Sequence, residues 1–239
     1  MNYWDVYTYS RDLSIFIDLL GAYEVPVETT ELANLDSQFQ SLKGNFFVSV
    51  DNILFTIDKK ISGTIPSDIG YLQILLSHKC EIDADVDQEI DDPISVYDFQ
   101  LQIKGFDQNV KEYVSWWHLD KNPKSEPPKF THPYYHLQFG GNAIESVDSG
   151  DIVLLSAPRL PHPPMDIFLG FHFILNNFYS SKDFHFVNEL LDNTQYKEII
   201  CRAQTRMWEK YFSAFSDNTH NHFTRKNVFP LYLDVDSEG

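Results

Sequence analysis

The sequence predicts an α+β fold: N-terminal helices, a central, mostly antiparallel four-stranded β-meander, and C-terminal helices packed on the sheet. Three observations predict it. Apolar residues recur every three or four positions in the first third of the chain. They alternate with period two in the middle third, and the helical spacing returns in the last third. With 239 residues, 19 Phe and 13 Tyr, the chain can bury a sizeable core, which excludes wholesale disorder.

The first helix follows from Leu13, Phe16, Leu20 and Tyr23 and ends near Gly21–Ala22. A long second helix is expected from Leu32 to Ile61, through Leu35, Phe39, Leu42, Phe46, Val50, Ile53 and Ile57, with Gly63 as its stop. "NFFVSVDNILF" also admits a strand, but the unbroken period favours helix. A third helix opens at Thr64 and Pro66 and places Ile69, Leu72, Leu76 and Cys80 on one face. "EIDADVDQEIDD", residues 81–92, then carries seven acids. Its alternate Asp spacing is like a calcium loop. However, Gln88 sits where the turn needs Gly, and Ile94 sits where a bidentate Glu belongs, so a solvated linker is expected. Residues 1–92 thus read as an acidic helical region and 93–239 as an α+β core, together one compact domain.

Strand alternation begins with "VYDFQLQIK", where Tyr97, Phe99, Leu101 and Ile103 oppose Asp98, Gln100, Gln102 and Lys104. In "KEYVSWWHLD", Trp117 and Leu119 oppose Trp116, His118 and Asp120. In "HPYYHLQFGG", Tyr135, Leu137 and Phe139 oppose His132, Tyr134, His136 and Gln138. "DIVLLSA", residues 151–157, is apolar on both faces, as a central strand is. Residues 121–131 form a basic, proline-rich loop. Helices follow over 165–179, over "DFHFVNELLDN" and over "TQYKEIICRAQTRMWEKYFSAF". "VFPLYLDV" reads as a short edge strand, where Pro230 is allowed.

Composition narrows the function classes. No apolar run reaches the length of a membrane span, and the first residues lack the pattern of a secretory signal. Cys80 and Cys201 are too far apart in sequence for a zinc or redox motif and suit reduced thiols, so a cytoplasmic location is expected. The net charge is −17, and residues 1–92 hold 17 acids against 5 bases. Such a surface repels phosphate polymers, so general nucleic-acid binding is not expected, nor is a membrane surface. It leaves room for a basic protein partner, or for a homodimer through the N-terminal helices.

The candidate chemistry sits on the polar face of the sheet. An antiparallel register brings His118 and His136 together, with Asp120 and Gln138 beside them. Two imidazoles and a carboxylate can divide general acid and base work. Arg159 and His162, in "SAPRLPHPPMDIF", follow a strand and precede a helix, where a guanidinium can hold an anion. The expected catalytic set is therefore His118, Asp120, His136, Arg159 and His162. No cofactor is expected. A divalent metal is the alternative, on His118, Asp120 and His136, three of the four ligands a catalytic zinc needs. The prolines and Asp166 also read simply as a stiff helix entry. Arg202, Arg206 and Lys210 form an i, i+4 stripe on the last long helix, paired with Glu198 and read as a solvated face. Asp217, His220 and His222 read as a polar loop.

"SWWHLDKNP", "YYHLQFGG" and "APRLPHPPMD" together make the chain resemble a bacterial family of unknown function over residues 90–215. The resemblance implies a bacterial, cytosolic setting and brings no activity with it. Two readings remain: a hydrolase or phosphodiester-cleaving enzyme built on the His/His/Arg pocket, or an acidic, non-enzymatic interaction or regulatory protein.

Overall fold

Alternating burial governs the middle of the chain. The computed structural model describes residues 4–39, 46–122, 131–140, 159–216 and 219–231. Within them, β1 (Phe47–Ile57), β2 (Tyr71–Ile82), β3 (Ile94–Phe106), β4 (Glu112–Lys121), β5 (Tyr135–Phe139) and β6 (Leu160–Pro161) form one antiparallel sheet. Its spatial order follows the chain. Helices α1 (Val6–Ala22) and α2 (Thr30–Phe39) precede it. Helices α3 (Ile167–Phe178), α4 (Phe186–Asp192), α5 (Thr194–Ser213) and the single turn α6 (Arg225–Val228) follow. The α+β class is as expected, but the described sheet has six strands rather than four.

Of the six, β1 and β2 replace expected helices, and the short β6 was not expected as a strand. In β1 the inward residues are Val48, Val50, Ile53, Phe55 and Ile57. A bulge between Val50 and Ile53 inserts one residue and resets the phase, with Asn52 at φ 55° and its N–H donated to Ser77 Oγ at 3.0 Å. The step from Val50 to Ile53 therefore becomes three, which imitates a helical period. In β2 strict alternation buries Leu72, Ile74, Leu76, His78, Cys80 and Ile82. Leu75 and Tyr71 on the opposite face blurred that pattern.

The helices cover one face of this sheet. Phe99, Leu101, Leu119 and Tyr135 continue the inward surface across β3, β4 and β5. Phe16 of α1 meets Phe168 and Phe171 of α3 at ring separations of 5.3 and 5.2 Å, and Phe171 meets Phe55 of β1 at 4.7 Å. Asp166 caps α3 by accepting from Leu169 N at 3.0 Å and forms a buried ion pair with Arg206. The Arg206 guanidinium lies over the Trp4, Tyr9 and Phe168 rings. Arg202 grips buried Asp12 with two hydrogen bonds of 2.8 Å, and Lys210 pairs with Glu89. The basic stripe of α5 is therefore a set of tertiary ties rather than a solvated face.

The acidic linker folds onto itself, with Asp83 and Asp87 accepting from Asp85 N and Glu89 N at 3.0 Å. His220 is buried, and its Nδ1 accepts from His222 N and Phe223 N at 3.1 and 3.0 Å, so it organises its loop. The position expected to divide the chain, residue 92, lies between β2 and β3, which pair along their length. α1 and α2 spend their apolar residues on the core, including Tyr9, Leu13, Phe16, Leu32 and Leu35. Among the described residues no helix is long and apolar enough to cross a membrane. The strand expected over 151–157, most of the loop after β4 and Asp217 lie outside the described residues. At the tail, α6 and the turn after it occupy the described part of the expected edge strand.

Candidate functional site

The site grows from "WHLD" in β4. Period two sends Trp116, His118 and Asp120 to the face opposite the helices, because Trp117 and Leu119 are committed to the core side. Pairing with β3 sets Gln102 beside Trp116, Gln100 beside His118 and Asp98 beside Asp120. Pairing with β5 sets Gln138 beside His118 and His136 beside Asp120. The two expected histidines thus stand diagonally rather than directly opposite, and Asp120 joins them. Its Oδ2 lies 3.4 Å from His118 Nε2 and 4.0 Å from His136 Nε2.

His132, in the segment entering β5, completes the group. Asn122 N donates to Tyr134 O at 2.8 Å, and Asn122 Nδ2 reaches His132 O at 3.4 Å, which fixes that segment to the end of β4. The His132 ring then stands edge-on to His136, with centroids 4.4 Å apart. This residue was missed as a site member because it precedes the strand. The available signal was its place on the polar face, four residues before His136.

Arg159 precedes β6, whose Pro161 pairs with His136 and whose Leu160 pairs with Leu137. It is therefore in phase with His136, and its charge is felt at Asp120, His132 and His136. Its Nε is buried without a hydrogen-bond partner, as is His136 Nδ1. The Pro133 carbonyl lies close enough to favour the charged ring of His136 without making a hydrogen bond of ordinary geometry to it. His162 takes the other phase. Its N–H donates to Tyr135 O at 3.3 Å, and its Nδ1 lies 2.6 Å from Pro163 O, so the structure does not bring it to this group.

Burial dominates the electrostatics. It drives the His136 imidazole down to about 3, reinforced by the charges of His132 and Arg159, so His136 is neutral at physiological pH. Burial and Arg159 also lower His132. Asp120 is raised, chiefly by burial and then by the like charge of Asp98, against the pull of His118 and Arg159. Asp98 itself is steadied by Gln100 Nε2, 3.0 Å from both carboxylate oxygens. Among the described residues no group of three or more His, Cys, Asp or Glu side chains is placed to hold a metal ion. His118 and His136 both approach one carboxylate oxygen instead of a shared point between three donors.

Two open cavities lie away from this chemistry. One, of about 590 Å³, is bounded by Lys60, Tyr71, Phe106 and Val110 at the far end of β2 and β3. The other, of about 410 Å³, is lined by Tyr97, Lys121, Tyr134 and His222, with Lys121 in opposite phase to Asp120. Beside the second, buried Asp92 accepts from Tyr134 OH, Tyr135 OH and Ile94 N and pairs with Lys121 at 3.0 Å. That satisfied network rivets β3, β4 and β5 together. Set against known proteins, the chain matches no family model, no curated protein and no solved structure.

Proposed function

We propose that this chain is a phosphodiester-cleaving enzyme that works by proton transfer through His118 and Asp120. One observation supports the reading above all. A carboxylate held close to two imidazoles stands beside two buried polar atoms, Arg159 Nε, which has no hydrogen-bond partner among the described residues, and His136 Nδ1, which has only the poorly aligned Pro133 carbonyl. Orphaned buried polar groups cost about 1–3 kcal/mol each, and a bound anion with acceptor oxygens relieves that cost at Arg159.

The roles differ from the expected pairing of His118 with His136 as acid and base. His136 is too poor a base to take up a proton near neutral pH. As a neutral imidazole it positions Asp120 and the anion. His118 and Asp120, both reachable from solvent, then divide the proton traffic, and Arg159 holds the charge that develops on phosphorus-bound oxygen. The interaction-protein reading rests on the acidic surface and on exposed Tyr7, because most of the apolar residues of α1 and α2 are spent on the core.

Two aryl phosphodiesters test the proposal: a ribonucleoside 3′-(4-nitrophenyl phosphate) and its 2′-deoxy counterpart. Release of 4-nitrophenolate from either one, lowered about 10²–10⁴-fold by His118→Asn, is expected. Release from neither, or release indifferent to His118→Asn, refutes it.

A further inference from the structure

Acid–base groups and an anion holder need a nucleophile. Among the described residues around Asp120 the polar face offers His118, His132, His136, Arg159 and amides, none of which is a hydroxyl or thiol. Ser77 is on the same face but two strands from His118, roughly 10 Å away, and its Oγ is engaged by Asn52 N. Ser115 has the opposite phase to His118 on β4. The arrangement therefore suits a substrate that carries its own nucleophile next to the phosphodiester.

The same face offers a seat for such a substrate. Trp116 is two residues before His118 on β4, in phase with it, about 7 Å along the strand, and partly exposed. Gln102 lies opposite Trp116, and Gln100 and Gln138 flank His118 from either side. Single-stranded RNA is read by such a pair: the Trp116 ring for a base to stack on and the Gln102 amide for a base edge or ribose hydroxyl, while Gln100 is held by Asp98 and Gln138 is buried.

We infer that the substrate is a short single-stranded ribonucleotide whose own 2′-hydroxyl attacks the phosphorus, with one base stacked on Trp116. The inference rests on the phosphodiesterase reading above. The reactive form is the tautomer of the pair with the proton on Asp120 and His118 neutral, and in it His118 takes the 2′-hydroxyl proton while the O2′–P bond forms. The P–O5′ bond breaks, its electron pair leaves on O5′, and the Asp120 carboxyl gives that oxygen a proton. The products are a 2′,3′-cyclic phosphate and a 5′-hydroxyl. His118 then returns its proton to Asp120 across the 3.4 Å between them, which restores the starting pair. An internal attack of this kind brings an effective molarity of about 10⁵–10⁸ M, so the protein need supply only proton transfer and charge stabilisation.

The net charge of −17 disfavours long ligands. Long polyanions are repelled, whereas a dinucleotide held by stacking and one guanidinium is not. Its affinity should change little between 50 and 200 mM salt, unlike ligands gripped through many phosphates.

The decisive comparison uses the full chain with uridylyl-adenosine, its 2′-deoxyuridine analogue and the two aryl esters. Expected are cleavage of the ribonucleotides to a 2′,3′-cyclic phosphate, no reaction of the deoxy compounds, and loss of turnover in His118→Asn. Trp116→Ala should raise KM more than it lowers kcat, with Trp116→Phe restoring most of the loss. Comparable cleavage of the deoxy ester means that water is the nucleophile. This inference then fails while the phosphodiesterase reading stands. Should neither aryl ester nor dinucleotide react, both fail together.

Discussion

At Asp120 the surroundings pull in opposite directions. Burial and the facing Asp98 penalise its charge, and His118 and Arg159 favour it. The net direction is upward, so the folded protein binds this proton more tightly than the unfolded chain does. The ionised carboxylate therefore costs stability above its folded pKa, and the cost fades as pH falls through that pKa towards the ordinary carboxylate value. Asp120→Asn should accordingly raise the thermal midpoint at pH 7, by a small amount because the side chain is 40% exposed, and lose that advantage near pH 4. The same variant should slow dinucleotide cleavage about 10²–10⁴-fold but spare the nitrophenyl ester, whose leaving group needs no proton. Equal losses on both substrates would assign Asp120 to positioning His118 instead of protonating the leaving group. Most of this cluster was legible in the sequence, because period two alone fixes which residues of "WHLD" and "YHLQ" share a face. His162 was misplaced for the same reason in reverse, since a step of one residue beyond Pro161 turns a side chain to the other face.

Elements were legible where their burial pattern was one-sided, and misread where it was interrupted. α1, α3 and α5 present clear apolar stripes with capping residues, and Asp5, Asp166 and Asn193 accept the first-turn N–H groups. β1 was read as helix because its bulge converts one step of two into a step of three. The stripe on α5 looked solvated because its acidic partners, Asp12, Asp166 and Glu89, lie 40 to 190 residues distant along the chain, beyond any local pattern. The seat of α3 on the sheet depends on Gly170. A Cβ there would stand 2.7 Å from Phe99 Cε2 and 3.5 Å from Leu76 Cδ2. Phe99 is fully buried and cannot swing aside. Gly170→Ala should therefore destabilise the protein by about 1–3 kcal/mol, although alanine is the better helix former by about 1 kcal/mol. Urea denaturation decides which effect wins, and a stabilised variant would show that α3 can ride outward without loss. Because the N-cap of α3, Asp166, is seven residues after Arg159, a shift of this helix should also weaken turnover.

Across the whole molecule, burial of neutral imidazoles sets the response to acid. His78, His136, His162 and His172 are all lowered, in each case chiefly by burial, and they lie on β2, on β5, between β6 and α3, and on α3. The unfolded chain protonates these rings near their ordinary value of about 6.5, while the folded protein resists doing so. Below that pH the unfolded state binds more protons, so stability must decline as pH falls, and for His136 the window extends from about 6.5 down to about 3. Asp120 works in the opposite sense but is a single, half-exposed group. Relief of the repulsion among 35 acidic residues comes mainly near and below the pI of about 4.7, where the carboxylates titrate. Between pH 7 and about 5.5 the histidines should therefore dominate, and the urea midpoint should fall over that interval. His136→Gln, which removes the deepest-shifted ring but keeps a polar side chain of similar size, should flatten the fall whatever it does to the midpoint at pH 7. A midpoint that holds steady or climbs between pH 7 and 5.5 would mean that the imidazoles take up protons in the fold as readily as out of it. His136 would then be charged at working pH, and the division of labour between His118 and Asp120 would have to be redrawn with His136 as the acid.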